Sequence, residues 1–437
     1  MSAVLGAAAA RSRPGALRWS EYGFVLALLA AAAVTVDPFD WRLASHTLLK
    51  HLALALALGF ALLTAVGRRL RAPLGAPSAG SGVLRVAWPL LVLAALIMGG
   101  SLYERGMFGV RDTFLDVGLY MLTLFVAADM VCRSDAPLAL VRACFAVLLP
   151  AALVMGVLLV ANFGVRQVYH EQIFLVIPLA VLCLAPARRS ALCWLGGLFF
   201  LAMAWFSQKY TSYLVGALTA AYLLGVVALP RSAARPGLER LTAAYWTALL
   251  ALAAAGLVVL AMLAHRADLP TGNPGYRLHT YAQAWERFTG SPLFGTLFAA
   301  EAVHKFTLYS IGIARNRLPT HSDVLDLLAN GGVLGVSLWA LGLARIARVS
   351  ARELLAPRFL GRPEAPYGHA LAMISIAGIL TYAFNPILLQ PPKAFLLWAS
   401  LGLLLGLALA QRERGPGRPA PATSGTGNTK RPRKTRG

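Results

Sequence analysis

The sequence predicts an all-α, polytopic integral membrane protein with about twelve transmembrane helices and one large outer loop carrying short helices. Three observations point there. Of the 437 residues, 58% are hydrophobic and only 13% charged, roughly half the charge of an ordinary soluble domain at about 25%. Apolar runs approaching the roughly 20 residues needed to cross a bilayer recur along the whole chain. Arginines gather in alternate connections between those runs, as the positive-inside rule requires.

The elements follow in order. The first apolar run, 22–36, comes after an Ala- and Arg-rich N-terminus containing Arg11, Arg13 and Arg18. No small-residue cleavage site follows it, so it is expected to be retained as a span. Runs at 47–66 and 86–103 flank Arg68, Arg69 and Arg71; runs at 114–131 and 138–161 flank Arg133. Runs at 172–186 and 191–207 flank Arg188 and Arg189, and runs at 211–229 and 243–264 flank Arg231, Arg235 and Arg240. Runs at 323–346 and 369–387 enclose Arg345, Arg348, Arg352, Arg358 and Arg362, and 394–410 precedes the basic tail. The organisation expected is 1–21 as a cytoplasmic segment, 22–263 as spans one to nine and 264–322 as the outer loop. Spans ten to twelve then occupy 323–410, and 411–437 is a disordered basic tail. Both termini fall on the cytoplasmic side.

The formal net charge of +22 is therefore mostly topology, and nucleic acid is excluded as a partner. The tail closes on KRPRKTRG, an orientation signal that also suits anionic membrane lipids. Cys132, Cys144, Cys183 and Cys193 lie in or at the ends of runs without metal-ligand spacing, so neither disulfides nor zinc are expected.

Most connections are short; 264–322 is not, and a long loop in a compact protein tends to be functional or disordered. After the turn PTGNPG comes YRLHTYAQAWERF, where Leu278, Tyr281, Ala282, Trp285 and Phe288 share one helical face. Gly290 and Pro292 in TGSPLFG end it. Such a helix suits two seats, the outer membrane–water boundary or the loop's own small core.

Positive charge on the outer side runs against the orientation bias and calls for another reason, such as an anionic ligand. It comprises Arg105, Arg111, Arg166, Lys209, Arg266, Arg277, Arg287, Lys305, Arg315, Arg317 and Lys393. The planar fork of arginine suits pyrophosphate, making paired charge-assisted bonds to its oxygens. Arg105 beside Glu104 and Arg111 beside Asp112 read as surface charges. Lys209, in FSQKYTSYL between two closely joined runs, either snorkels or points into a ligand cavity. Arg277 opens the loop helix, on a solvated face or a binding one.

Among the histidines, His46, His51, His265, His279 and His369 show no constellation. His304 with Glu301 and His170 with Glu171 lack a third ligand, so no metal site is expected. His321 stands apart. Thr320-x-x-Asp323 before an apolar run has the form of a capping box. With Thr320 as N-cap, His321 falls in the first helical turn, where the dipole disfavours imidazolium and favours a neutral ring able to accept a proton. The plain alternative is a capping-region histidine bonded to a carbonyl.

THSDVLDLLANGGVLGVSL resembles the signature of the O-antigen ligase and polymerase superfamily, H-N-D/E-x-L-x-x-L-A-E-x-G-x-x-G. It matches at His321, Asp323, Leu325, Leu328, Ala329, Gly332 and Gly335, with Ser322 in place of asparagine and Asn330 in place of glutamate. YRLHTYAQAWERFTGSPLFG is similar to that family's R-x-x-x-W-x-x-A-x-x-x-x-x-x-P-x-x-G segment, with Arg277, Pro292 and Gly295 in register. SQKYTSYLVGAL is similar to its Ser-Arg or Ser-Lys-Thr segment, with Lys209 where arginine is commoner. The resemblance covers the chain from about Ser207 on.

The resemblance implies glycosyl transfer on the periplasmic face of a bacterial inner membrane, with no cofactor and no metal. The donor would be a glycan on undecaprenyl pyrophosphate, and the acceptor a lipid A-core hydroxyl. His321 would be the base, supported by Thr320 and Asp323. Arg277, with Lys209, Arg166, Arg287 and Arg317, would hold the pyrophosphate. The alternative within the same resemblance is an O-antigen or exopolysaccharide polymerase using the same donor with a glycan acceptor. A polysaccharide transporter or flippase is a third reading, but no internal repeat of the kind common in transporters is evident.

Overall fold

The computed structural model describes residues 17–36, 47–69, 80–161, 163, 173–184, 190–207, 209–232, 272–298, 305–307, 317–319, 322–355, 362–384 and 391–414. Within these the chain is overwhelmingly helical. Helices α1 (Trp19–Val36), α2 (Thr47–Arg69), α3 (Gly80–Thr113), α4 (Leu119–Arg133) and α5 (Pro137–Ala161) form the first half, with a π-turn at Phe114–Gly118 joining α3 to α4. Then come α6 (Ile173–Val176), α7 (Leu179–Leu184), α8 (Ala191–Phe206), α9 (Tyr210–Ser232) and the loop helix α10 (Gly272–Gly290). Strands β1 (Lys305–Thr307) and β2 (Arg317–Pro319) pair antiparallel, Phe306 opposite Leu318. Helices α11 (Asp323–Ser350), α12 (Ala365–Phe384) and α13 (Pro391–Arg414) complete the order.

Four helical segments among the described residues are long and apolar enough to cross a membrane: Gly82–Tyr103, Pro137–Ala161, Asp323–Leu355 and Ala394–Glu413. Shorter apolar helices cover Trp19–Ala30, Ala55–Thr64, Ile173–Leu184, Ala191–Phe206 and Thr211–Gly225. The ninth apolar run, 243–264, lies outside the described residues, as do the N-terminal residues 1–16 and the tail beyond Arg414. Many outward side chains are apolar, among them Leu195, Leu198 and Leu224, a surface suited to lipid.

Several boundaries differ from the sequence expectation. The connection expected between the third and fourth runs is helical instead. The stretch Gly80–Thr113 is two helices that meet at a bend, the first holding the membrane-length segment Gly82–Tyr103. It kinks where Gly106 takes φ 61° and ψ −154°. The sixth run is two short helices because Pro178 interrupts it; the amide of Val181 then restarts the ladder on the Pro178 carbonyl at 3.0 Å.

The core is organised around α13, whose apolar stretch is buried inside the protein. Gly402 and Gly406, four residues apart, lie directly on the backbone of α4 at Leu124 and Ala128. A Cβ at either glycine would collide with those carbonyl oxygens, so small residues here permit the close helix approach typical of membrane interiors.

Arg345, read from sequence as an orientation charge, has a second task. Pro89 in α3 has no N–H for the carbonyl four residues earlier, that of Arg85. Arg345 of α11 supplies the missing donor, reaching the Arg85 carbonyl at 2.6 Å and that of Val86 at 2.9 Å. Replacing Arg345 with methionine is expected to lower stability by about 1–2 kcal/mol. Thermal unfolding in detergent checks this, with exposed Arg348→Met as the near-neutral control.

Candidate functional site

The site is built on the seam between α10 and α11. The α10 face expected from periodicity is met only in part. Tyr281 and Trp285 pack against the first turns of α11, but the fully buried side is Thr280, Tyr281 and Ala284, while Leu278, Ala282 and Phe288 are only half-buried. Tyr281 and Ala284 bury against Leu325 and Ala329, with Trp285 and Leu328 half-buried at the edge. The rings of Trp285 and Phe288 lie 5.3 Å apart. Alanines at 284 and 329 let the two helices approach closely enough for this small cluster to exclude water.

The start of α11 differs from the expected capping box. Ser322, not Thr320, is the N-cap: its backbone is extended and its hydroxyl accepts from the amide of Leu325 at 3.4 Å. Asp323 therefore opens the helix, and His321 precedes the cap instead of falling in the first turn. The reason is local: serine is among the strongest N-caps, and it sits next to the two aspartates, Asp323 and Asp326, that suit a first turn. With Ser322 as cap, position 321 precedes the helix, so the first-turn dipole gives no reason for a neutral imidazole there.

Helix α11 is broken at its glycine pair. Gly332 takes φ 59° and ψ −160°, which interrupts the i to i−4 ladder. The turn after α10 fills the break with its own backbone. The amide of Val333 donates to the Pro292 carbonyl at 2.9 Å, and that of Leu334 to the Leu293 carbonyl at 3.1 Å. In return the amide of Phe298 donates to the Asn330 carbonyl at 3.0 Å. A buried break needs such partners, since unsatisfied backbone groups are costly away from water. Gly295, at φ 58°, lies so close that a Cβ there would stand 2.5 Å from the carbonyl carbon of Asn330. Gly331 faces the ring of Phe298, and Gly100 of α3 lies on the backbone of Leu297 and Phe298. Leu297 and Phe298 have φ of 51° and 62°, a left-handed conformation that costs non-glycine residues energy. Burial of the Phe298 ring and the bond to Asn330 offset that cost.

Polar groups gather along this seam. Arg277 lies half-buried in the second turn of α10, not at its opening, because the helix begins at Gly272. Arg277 and Asp326 both act electrostatically on the Tyr281 hydroxyl. Burial pushes that phenol up to about 12; Arg277 pulls it down and Asp326 pushes it further up. Asp323 and Asp326 are both buried, and both lie within electrostatic reach of Tyr382 on α12. Tyr382 in turn stacks on Trp339, ring centroids 5.2 Å apart. Arg287, at the end of α10, donates to the Asn330 side-chain oxygen at 3.4 Å.

Of the residues singled out from sequence, Arg277, Arg287 and Asp323 are thus brought to one seam. Lys209 is half-buried just before α9, its carbonyl accepting from the Tyr213 amide at 3.1 Å; α9 packs with α8 and α12. Arg317 is placed only as the β2 residue opposite Thr307. Arg166, Thr320 and His321 lie outside the described residues, as do His170, Glu171, Glu301 and His304. Sequence reasoning missed Asp326 and Asn330. A carboxylate and an amide one turn apart, inside an apolar run, were the available signal. Among the described residues no group of three or more His, Cys, Asp or Glu side chains could hold a metal ion, and Cys132, Cys144, Cys183 and Cys193 form no disulfide.

Arg277 acts near the first turn of α11, which also buries Asp323 and Asp326, whereas Arg287 stands about two turns further along at Asn330. Guanidinium groups are suited to paired, charge-assisted bonds with phosphate oxygens. No protein-family model matches the chain, and no curated protein matches it either.

Proposed function

We propose that this chain is an O-antigen ligase-like membrane glycosyltransferase of the bacterial inner membrane. In this reading it has about twelve spans, cytoplasmic termini and a periplasmic loop at 264–322. It moves a glycan from undecaprenyl pyrophosphate to a lipid A-core hydroxyl. One observation carries the reading. The two stretches that resemble the superfamily, around Arg277–Gly295 and around His321–Gly335, dock backbone to backbone at the Gly332 break. Two segments that resemble one signature, yet lie apart in sequence, thereby form one seam with Arg277, Arg287 and Asp323 in it.

The chemistry is a displacement at the anomeric carbon. The acceptor oxygen forms the new glycosidic bond while the bond from that carbon to the pyrophosphate oxygen breaks. His321 takes the acceptor proton, and undecaprenyl pyrophosphate leaves with the bonding electron pair. Arg277 and Arg287, with Lys209, Arg166 and Arg317, stabilise the charge developing on that leaving group. Attack opposite the leaving group inverts the anomeric centre.

The test is transfer by the purified protein in lipid nanodiscs, with lipid-linked donor and excess chelator. Product is expected with lipid A-core as acceptor, rising as pH passes the ordinary imidazole range near about 6.5. Product only with a second lipid-linked repeat would make the protein a polymerase. No transfer to either acceptor, with the donor merely carried across the bilayer, would replace the reading with transport.

A further inference from the structure

We infer that the turn at 291–298 is a re-entrant segment, seated in the bilayer leaflet on the loop side with Leu293, Phe294 and Leu297 against lipid acyl chains. The inference rests on the membrane-length helices and goes beyond the glycosyl-transfer reading, which it does not need.

Depth follows from the two helices that the turn touches. In α3 the membrane-length segment runs Gly82–Tyr103, and the carbonyls of Leu297 and Phe298 lie on Gly100. Gly100 stands three residues before Tyr103, about 4.5 Å inside the end of that segment. In α11 the segment Asp323–Leu355 begins ten residues before Val333, whose amide holds the Pro292 carbonyl; ten helical residues rise about 15 Å. At the other end of the same helix pair Arg345 meets the Arg85 carbonyl. From Arg85 to Gly100 α3 rises about 22 Å, short of a hydrocarbon core of about 30 Å. The turn therefore lies within the slab, not above it.

Its surface suits that depth. Residues 291–298 carry no charged side chain. Leu293, Phe294 and Leu297 are nevertheless 64%, 52% and 47% exposed, an apolar patch that calls for a partner. It continues two outward stripes. In α3 the exposed Leu84, Trp88, Val92 and Leu102 fall on one helical face. In α11 the exposed Val333, Ala340, Leu341 and Ala344 do the same. The turn meets both stripes near their loop-side ends, through Gly100 and Val333. Lipid that covers the stripes covers the turn as well.

Irregular backbone is costly at this depth unless the protein pairs it. Here α11 takes the carbonyls of Pro292 and Leu293. The amides of Ser291, Gly295, Leu297 and Phe298 donate to the carbonyls of Phe288, Ser291, Phe294 and Asn330. Pro292 has no N–H to satisfy. The turn can thus enter lipid with these groups already paired.

The experiment places the photo-crosslinking residue p-benzoylphenylalanine at 293, 294 or 297 of the full chain, in vesicles of phosphatidylethanolamine and phosphatidylglycerol. Mass spectrometry is expected to find roughly tenfold more lipid adduct at each position than at Glu286, an exposed polar site on α10. Lipid adduct no greater than at Glu286, or crosslinks mainly to a second copy of the chain, would overturn the inference. Should the substituted chains not fold, the unmodified protein in nanodiscs decides. Hydroxyl radicals should spare Phe294 although it is exposed in the fold; oxidation at the rate of a water-exposed phenylalanine would overturn the inference equally. Neither readout uses transfer, so loss of the glycosyl-transfer reading leaves the inference standing.

Discussion

Replacing Gly332 with alanine is expected to undock the turn after α10 and cost about 4 kcal/mol or more, a large share of the marginal stability of a typical fold. Two effects combine. With φ 59° and ψ −160°, the residue occupies a region that is essentially glycine-only, and other residues there pay about 1–3 kcal/mol. A Cβ would also stand 2.5 Å from the carbonyl carbon of Leu293 and 2.6 Å from the amide nitrogen of Phe294. Both are backbone atoms, so no rotamer change relieves the contact. If the turn moves away, the amides of Val333 and Leu334 and the carbonyl of Asn330 lose their partners together. Each buried group left unsatisfied costs about 1–3 kcal/mol. Thermal unfolding in detergent, read by tryptophan fluorescence, measures the loss. Gly290→Ala is the control, because a Cβ there meets nothing within 4 Å and no unusual φ is required. A Gly332→Ala protein as stable as the control would mean that the helix is not broken as described.

His321→Ala is expected to reduce transfer by about 10²–10⁴-fold, the usual weight of a general base, while leaving unfolding unchanged. The separation is possible because the cap and the proposed base are different residues. Ser322 terminates the helix, so Ser322→Ala should cost about 1 kcal/mol of stability. Removing the imidazole one residue earlier takes away no helix cap. Rates in nanodiscs and melting temperatures on the same preparations read the two effects independently. A His321→Ala protein that transfers as fast as the wild type would end the base assignment. A Ser322→Ala protein with full stability would end the cap assignment. A general base also implies that the remaining activity loses its dependence on pH near the imidazole range.

The sequence made the helical, membrane-crossing character of the chain legible through its apolar runs. The helix in the loop also read directly, because a 3.6-residue period requires only local order, although the side it buries, Thr280, Tyr281 and Ala284, is turned away from the expected face. The cap did not. Thr320 and Ser322 are both good N-caps, and only the extended backbone at Ser322 with its bond to Leu325 separates them. Nor did the purpose of Arg345, since the carbonyl it serves is made needy by a proline more than two hundred residues earlier.

Composition and period therefore determined that this protein is built of apolar helices and that its loop carries an amphipathic one. These are properties of a chain with its neighbours in sequence, and burial of apolar surface enforces them wherever the helix ends up. The tertiary structure alone decided that Pro292–Phe298 enters the break at Gly332, and that Asn330 stands between Asp326 and Arg287. Backbone hydrogen bonds between distant segments carry no signature in side-chain pattern. They exist only where two glycines, Gly295 and Gly332, let the main chains touch.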